Sequence, residues 1–95
     1  MPAYFVVEID VQDAAAFEEY RQQVPAIIAK YRGRYLVRGG KTETLEGDWR
    51  PGRIVVLEFP SREQARMFYD SPEYAPLKAL RRRAAKSKLL LVDGV

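Results

Sequence analysis

The stretch from Arg38 to Tyr74 constrains the fold of this chain more than any other part of the sequence. It begins with a glycine pair, Gly39-Gly40, and continues through a polar loop that holds the only tryptophan. The apolar segment Arg53–Phe59 follows and predicts a strand, which Pro60 ends because proline has no N–H for a strand ladder. A loop, a buried strand and the end of that strand are therefore defined within this one stretch.

A broken helix follows the strand. Ser61 and Gln64 have the spacing of a capping box, in which the serine side chain accepts a hydrogen bond from the backbone three residues later. The dipeptide Ser71-Pro72 breaks the helix, and a further helical stretch is predicted from about Glu73. The apolar residues of the two stretches recur at helical spacing: Ala65, Phe68, Tyr69, Tyr74, Leu77, Leu80 and Ala84.

The N-terminal third predicts a strand and a helix. Polar and apolar residues alternate over Ala3–Val11, which is typical of a half-buried strand. Asp13 can cap a helix that begins at about Ala14. We expect Pro25 to kink or break this helix near Gln23, because an interior proline costs about 3 kcal/mol.

Two further strands complete the pattern. Gly33 is expected to end the first helix, and Arg34–Arg38 to form the second strand. The glycine pair after it permits a bulge, and Lys41–Glu46 is expected to extend the strand. The last strand is predicted at Leu89–Val92.

The predicted order of elements is β-α-β-β-α-β, which gives an α+β fold class. Chains with this order usually form the ferredoxin-like plan, a four-stranded antiparallel sheet with both helices on one face. A chain of 95 residues is expected to form a single domain, here 1–95.

The composition excludes several classes of site. The chain has no cysteine and no histidine, so it lacks the ligands of a Cys/His zinc site and the base of a Ser-His triad. We predict no metal site and no cofactor. No apolar run approaches the ~20 residues of a membrane helix, and the N-terminus has no signal-peptide features. A cytoplasmic protein without a membrane partner is therefore expected.

Basic residues near the C-terminus carry the excess of positive charge. Lys78, Arg82 and Lys86 have the spacing of one helical stripe. A nucleic acid or another polyanion could bind there, but no recognition motif and no exposed aromatic residues accompany the stripe. A solvated helix face is the better interpretation, and nucleic acid is not predicted as a partner.

The sheet face opposite the helices, the open face, is the predicted location of function. Strand alternation places these residues on it: Tyr4, Val6, Glu8, Asp10, Ile54, Val56, Glu58, Leu36 and Arg38. A solvated face is normally more polar, so this one predicts a second copy of the chain packed against it. Two such sheets would enclose a partly polar cavity.

The charged residues of that cavity have two interpretations. Because an unpaired buried charge is costly, Arg38 is expected to pair with Glu58 or Glu8. In one interpretation this ion pair only fixes the register of a dimer. In the other, Arg38 binds an anionic group, and Glu58 or Glu8 has a pKa raised by burial and acts as a catalytic base.

Three further residues are candidates for ligand binding. Asp10 shares the open face with the two glutamates. Trp49 could cover the cavity, although an anchor in the dimer interface is the better interpretation. Tyr69 could form a wall of the site, whereas aromatic residues at a helix break more often serve packing.

Several fragments together carry a resemblance to a known family. They are Gly39-Gly40, Leu45-Glu46-Gly47-Asp48-Trp49, Pro51, Arg53, Val55-Val56, Glu58-Phe59-Pro60-Ser61 and Tyr69-Asp70-Ser71-Pro72-Glu73-Tyr74. With the first strand and Tyr35–Arg38, they make nearly the whole chain similar to the domain-of-unknown-function 1330 family. The resemblance implies a ferredoxin-like protomer that forms a dimeric α/β barrel, and it implies no particular activity. Related barrel families include cofactor-independent oxygenases, haem-degrading enzymes, isomerases and proteins without known catalysis.

The sequence leaves two hypotheses about function. In the first, the protein is a homodimer that binds a small polar or anionic metabolite in the cavity between its sheets, with or without cofactor-independent catalysis. In the alternative, it is a non-catalytic dimerisation or regulatory module whose interface is filled and salt-bridged.

Overall fold

A computed structural model of residues 1–95 shows a four-stranded antiparallel sheet and three helices. The elements are β1 (Ala3–Val11), α1 (Ala14–Lys30), β2 (Arg34–Arg38), β3 (Arg53–Phe59), α2 (Arg62–Tyr69), α3 (Ala75–Ala84) and β4 (Ala85–Asp93). The strands lie in the order β2-β3-β1-β4, and each neighbouring pair is antiparallel. This is the predicted α+β ferredoxin-like plan, with the second helix divided in two. None of the helices combines the length and the hydropathy that a membrane crossing requires.

The core lies between the sheet and the helices. Every second residue of β1 and β3 is buried there: Ala3, Phe5, Val7, Ile9, Val55, Leu57 and Phe59. The ring of Phe59 stacks on Phe68 at 5.3 Å and meets Phe5 edge-on at 5.7 Å. A Cβ at Gly33 would lie 2.5 Å from the Phe59 ring, so only glycine fits at that position.

The two predicted helix caps are confirmed. The side chain of Asp13 accepts a hydrogen bond from the Ala16 N–H at 3.1 Å, and that of Ser61 accepts one from Gln64 at 3.1 Å. Each cap satisfies a backbone donor that the first turn of a helix leaves free. Both caps could be predicted because the capping residue and its partner lie only three residues apart in the sequence.

The course of α1 differs from the prediction in two places. The helix continues through Pro25 without a break. Because Pro25 has no N–H, it leaves the carbonyl of Arg21, four residues earlier, without its usual helical donor. At the end of the helix the left-handed residue is Arg32, with φ 67°, rather than Gly33. Gly33 is needed for space and not for its backbone angles.

A bulge in β2 reverses the order of its side chains. Tyr35 lies opposite Leu57 and Arg38 lies opposite Val55, so Leu36 is an extra residue between them. One extra residue moves everything after it to the other face of the sheet. The prediction that Arg38 lies on the open face is therefore wrong, because the bulge precedes the glycine pair instead of following Arg38.

The loop between β2 and β3 is irregular throughout. The predicted extension of β2 over Lys41–Glu46 is wrong, since these residues form no strand. Trp49 in this loop lies over the open face, where its Nε1 donates to Glu8 Oε1 at 3.3 Å. The loop therefore covers part of that face.

The last strand is longer than the sequence predicts. β4 begins at Ala85, and Lys86 lies opposite Asp10 of β1. Lys86 is therefore a strand residue, and the predicted helical stripe that joins it to Lys78 and Arg82 is wrong. The basic residues keep helical spacing as far as Lys86, but the segment from Ala85 onward pairs with β1 and is a strand.

Candidate functional site

A cavity of about 40 Å³ lies between the covered face of the sheet and the helices. Most of its lining is apolar, including the rings of Phe5, Phe17 and Phe68. Four arginines also line it: Arg21, Arg38, Arg53 and Arg81. No carboxylate contributes to the lining. The cavity is therefore an apolar space with a positively charged boundary.

Arg81 is the most buried of these arginines, with 4% of its surface exposed. It lies on the buried side of α3 beside Leu77 and Leu80. Its Nε donates to the Tyr74 hydroxyl at 3.4 Å, and no carboxylate forms an ion pair with it. Removing a cation from water without an acidic partner costs several kcal/mol. Arg81 is therefore a candidate to bind an anionic group from outside the chain.

Two tyrosine hydroxyls meet beside Arg81. The Oη atoms of Tyr20 on α1 and Tyr74 before α3 lie 2.9 Å apart, and both residues are buried. Burial, followed by the electrostatic interaction with the neighbouring Tyr74, raises the pKa of Tyr20 far above its usual value, so this hydroxyl stays neutral. Burial also raises the pKa of Tyr35, which lines the cavity from β2. The cavity thus presents neutral hydroxyls and guanidinium cations, a combination suited to a negatively charged group.

Arg38 reaches the cavity because of the bulge and is oriented by Pro25. Its guanidinium lies 4.6 Å from the centre of the Tyr35 ring. Its Nη2 donates to the carbonyl of Arg21 at 3.2 Å, the same carbonyl that Pro25 leaves without a helical donor. The proline in α1 therefore supplies an acceptor for the arginine on β2.

The predicted catalytic carboxylates lie on the other side of the sheet from the cavity. Glu58 accepts a hydrogen bond from Arg34 Nε at 2.7 Å, and Glu8 accepts one from Trp49. The hydrogen bond from Arg34 is the main reason that the pKa of Glu58 is lower than usual. The expectation of a raised pKa is therefore wrong for Glu58, and Arg38 pairs with neither glutamate.

The structure divides the predicted ligand-binding residues between two places. Arg38 and Tyr69 line the cavity, whereas Asp10 and Trp49 do not. Asp10 is exposed near the end of β1, and Trp49 is 59% exposed above the open face. The hydroxyl of Tyr69 accepts a hydrogen bond from Arg82 Nη2 at 3.4 Å. The six predicted residues therefore do not form one site.

Sequence reasoning missed Arg81, the most buried charge of the cavity. Its spacing from Leu77 and Leu80 places it on the apolar side of α3. A charged residue on an apolar helix face is unusual unless it is paired, and that signal could have identified it. Tyr20 offered no such signal, because an aromatic residue on the buried side of a helix is ordinary.

Comparison with known families gives the identity of the chain. Residues 2–95 match the family model of DUF1330, a domain of unknown function. The chain belongs to the DUF1330 family. No curated protein matches the sequence.

Solved structures share the fold of this DUF1330 member at low sequence identity. A protein of unknown function from Rhodopseudomonas palustris is 18% identical, with a TM-score of 0.78, over 99% of this chain and 82% of that one. SnoaB, a cofactor-independent oxygenase from Streptomyces nogalater, is 20% identical, with a TM-score of 0.65, over 99% and 93%. A dimeric ferredoxin-like protein of unknown function from Jannaschia sp. CCS1 is 10% identical, with a TM-score of 0.68, over 99% and 100%. The predicted family and fold class are thus both confirmed.

Proposed function

We propose that this DUF1330 protein binds a small organic anion in the cavity between its sheet and its helices. The observation that carries the proposal is the charge of the lining, four arginines and no carboxylate, with Arg81 buried and unpaired. A bound anion supplies the negative charge that the protein itself does not place there. The proposal keeps Arg38 and Tyr69 as ligand-binding residues and moves the site from the open face to the helix side.

The cavity also restricts the size and character of the ligand. A volume of about 40 Å³ holds roughly three water molecules, at ~10–15 Å³ for each. A larger ligand must displace the outer arginine side chains, Arg21 and Arg38, both of which are exposed. The aromatic lining favours a flat, apolar body, with the acidic group directed towards the guanidinium groups.

The same lining is suited to chemistry without a cofactor. Guanidinium groups stabilise negative charge as it develops, and the hydroxyls of Tyr20 and Tyr74 can donate a hydrogen bond to it. SnoaB, which shares the fold, is a cofactor-independent oxygenase. For this chain we propose a substrate that is already an anion when it enters the cavity, because the lining holds no base that could remove a proton.

Benzoate and benzamide provide a test of binding, because they differ in charge and hardly in shape. We expect benzoate to raise the melting temperature and benzamide to leave it nearly unchanged. A ligand at a hundred times its Kd stabilises a protein by about 2.7 kcal/mol. Thermal unfolding with each compound, followed by titration calorimetry, shows whether the protein binds benzoate more tightly than benzamide. Equal stabilisation by the two compounds would contradict the proposal.

The variant Arg81→Met tests whether Arg81 is responsible for binding the anion. Methionine keeps much of the length of the side chain and removes its charge, and such replacements of buried charges are often tolerated by the fold. We expect benzoate affinity to fall roughly tenfold or more, since a hydrogen bond to a charged group contributes about 1.5–3 kcal/mol. Arg83→Met is the matched control, because Arg83 is exposed on the same helix and outside the cavity.

We also propose that two copies of the chain associate through their open faces. Apolar residues remain exposed there, among them Val6, Leu90 and Val92 at 37%, 57% and 45%. Val6 lies between Val56 and Leu90 in the sheet, so these side chains form one continuous patch. The Jannaschia protein with this fold is described as dimeric.

Leu90→Asp is expected to dissociate this dimer. An aspartate in the middle of an apolar interface is desolvated without a partner, so the dimer dissociation constant should rise roughly a hundredfold. Met67→Asp is a close control, because Met67 is also 57% exposed but lies on α2, away from the sheet. Sedimentation velocity over a dilution series distinguishes the two variants. A dimer that survives Leu90→Asp would refute the open-face interface.

A non-catalytic dimerisation module is the second candidate function. The small volume of the cavity favours it, as does the pairing of Glu58 with Arg34 within one protomer. In that case neither benzoate nor benzamide binds, while Leu90→Asp still dissociates the dimer. The two experiments together therefore separate the two functions.

A further inference from the structure

A second recess, the vestibule, opens between the end of α2, α3 and β4. It is lined by Tyr69, Arg81, Arg82, Ala85, Lys86, Ser87 and Leu89. Tyr69, Arg81 and Leu89 line the inner cavity as well, so the two spaces share a wall. No carboxylate lines the vestibule either.

Ser87 is the polar group that folding leaves unsatisfied at this wall. Its Oγ is buried and has no hydrogen-bond partner in the protein. Buried hydroxyls nearly always have a partner, so the Ser87 hydroxyl is a polar group that a water or a ligand in the vestibule can satisfy. Arg82 forms a hydrogen bond only with the Tyr69 hydroxyl, and no carboxylate pairs with it.

The register of the sheet places the vestibule at one end of the cavity, and Arg38 and Arg53 at the other end. Arg53, Ile9 and Ser87 lie side by side on β3, β1 and β4. Neighbouring antiparallel residues have Cα atoms about 5 Å apart, so Arg53 and Ser87 lie about 10 Å apart. Ile9 between them is buried in the apolar lining. Polar groups thus border an apolar centre at both ends.

We propose that the ligand carries two carboxylates joined by an apolar body. One carboxylate binds Arg38, Arg53 and Arg81 inside the cavity. The other binds Arg82 and Ser87 in the vestibule, and the apolar body lies between them. The Arg53 guanidinium lies beside Gly39, on the side of β3 away from Ser87, so the ligand and its hydrogen bonds together span at least the backbone separation of about 10 Å. This inference rests on the proposed function and defines its ligand as an apolar dicarboxylate.

Terephthalate and 4-methylbenzoate test the second carboxylate, because both have a flat ring and they differ at one end only. Titration calorimetry should show terephthalate binding roughly tenfold more tightly, in line with an added charge-assisted contact. Arg82→Ala and Ser87→Ala should each reduce this ratio and leave the affinity for 4-methylbenzoate unchanged. Arg83→Ala removes the same charge from the same helix outside the vestibule, and should leave the ratio intact.

The results distinguish a failure of the dicarboxylate proposal from a failure of anion binding in the cavity. If both acids bind with equal affinity, the dicarboxylate proposal is overturned while anion binding stands. If neither acid binds, the proposed function itself fails. Ser87→Ala removes only a hydroxyl and is expected to fold, and its unchanged affinity for 4-methylbenzoate verifies this. A loss that affects both acids equally, or a ratio that Arg83→Ala also reduces, would likewise overturn the proposal.

Discussion

Phe59→Ala is expected to lower the free energy of unfolding by about 3–5 kcal/mol, the usual cost of truncating a buried phenylalanine. Phe59 has 0% of its surface exposed, and its ring packs on both Phe5 and Phe68. Gly33 offers no side chain that could fill the space left behind. A domain has only about 5–15 kcal/mol of stability in total, so the variant should lose a substantial part of it.

Urea unfolding at one fixed protein concentration measures this loss, because dimerisation would make the stability depend on concentration. Met67→Ala is the control, since Met67 is 57% exposed on α2 and its truncation should cost less than about 0.5 kcal/mol. Phe59→Leu should fall between the two. Similar losses for Phe59→Ala and Met67→Ala would mean that the core is not centred on Phe59.

Pro25→Ala is expected to have two opposite effects. It restores the N–H that bonds the Arg21 carbonyl and removes a ring that crowds the preceding turn, so stability should rise by about 1–3 kcal/mol. The restored N–H then competes with Arg38 Nη2 for that carbonyl, which Arg38 now contacts at 3.2 Å. Arg38 loses its anchor, and benzoate affinity should fall several-fold. Urea unfolding and calorimetry on the same sample measure both effects.

Pro76→Ala shows whether the effect belongs to the position of Pro25. Pro76 lies in the first turn of α3, where the N–H of a residue has no helical partner and proline costs little. Its replacement should change stability by less than about 0.5 kcal/mol. If Pro25→Ala gains stability and binds benzoate unchanged, the Arg21 carbonyl does not orient Arg38 for binding.

Local signals account for the part of the fold that the sequence predicts correctly. The alternation over Ala3–Val11, the cap at Asp13, the spacing of Ser61 and Gln64, and the apolar run Arg53–Phe59 all depend on residues within one or two turns of one another. Each such signal has a direct physical cause in hydrogen bonding or burial. The order of these elements was then sufficient to predict the ferredoxin-like sheet.

The errors concern contacts between distant residues. The extra residue Leu36 is visible only when β2 is paired with β3, and it moves Arg38 from one face to the other. The start of β4 at Ala85 likewise depends on pairing with β1. Helical spacing near Lys86 suggested a longer helix, because sequence periodicity does not include the sheet edge that competes for the segment.

The candidate site was misplaced for the same reason. The apolar open face suggested a surface for self-association, but nothing local indicated that the arginines converge on the helix side. Arg53 and Arg81 lie far apart in sequence and meet only through the packing of α3 on the sheet. Strand alternation predicted that Glu8 and Glu58 lie on one face of β1 and β3, but the carboxylate of Glu58 already forms an ion pair with Arg34.

The alternation along β3 has a consequence for how the family can diverge. Val55 lines the cavity, while Val56 beside it belongs to the open face. Point substitutions can therefore change ligand preference and self-association independently, since the two traits occupy interleaved positions. A change in length within β3 cannot separate them, because it moves every later residue of the strand to the other face of the sheet. Insertions and deletions in the loop before Arg53 should leave ligand preference unchanged and alter only self-association, because Trp49 of that loop lies over the open face.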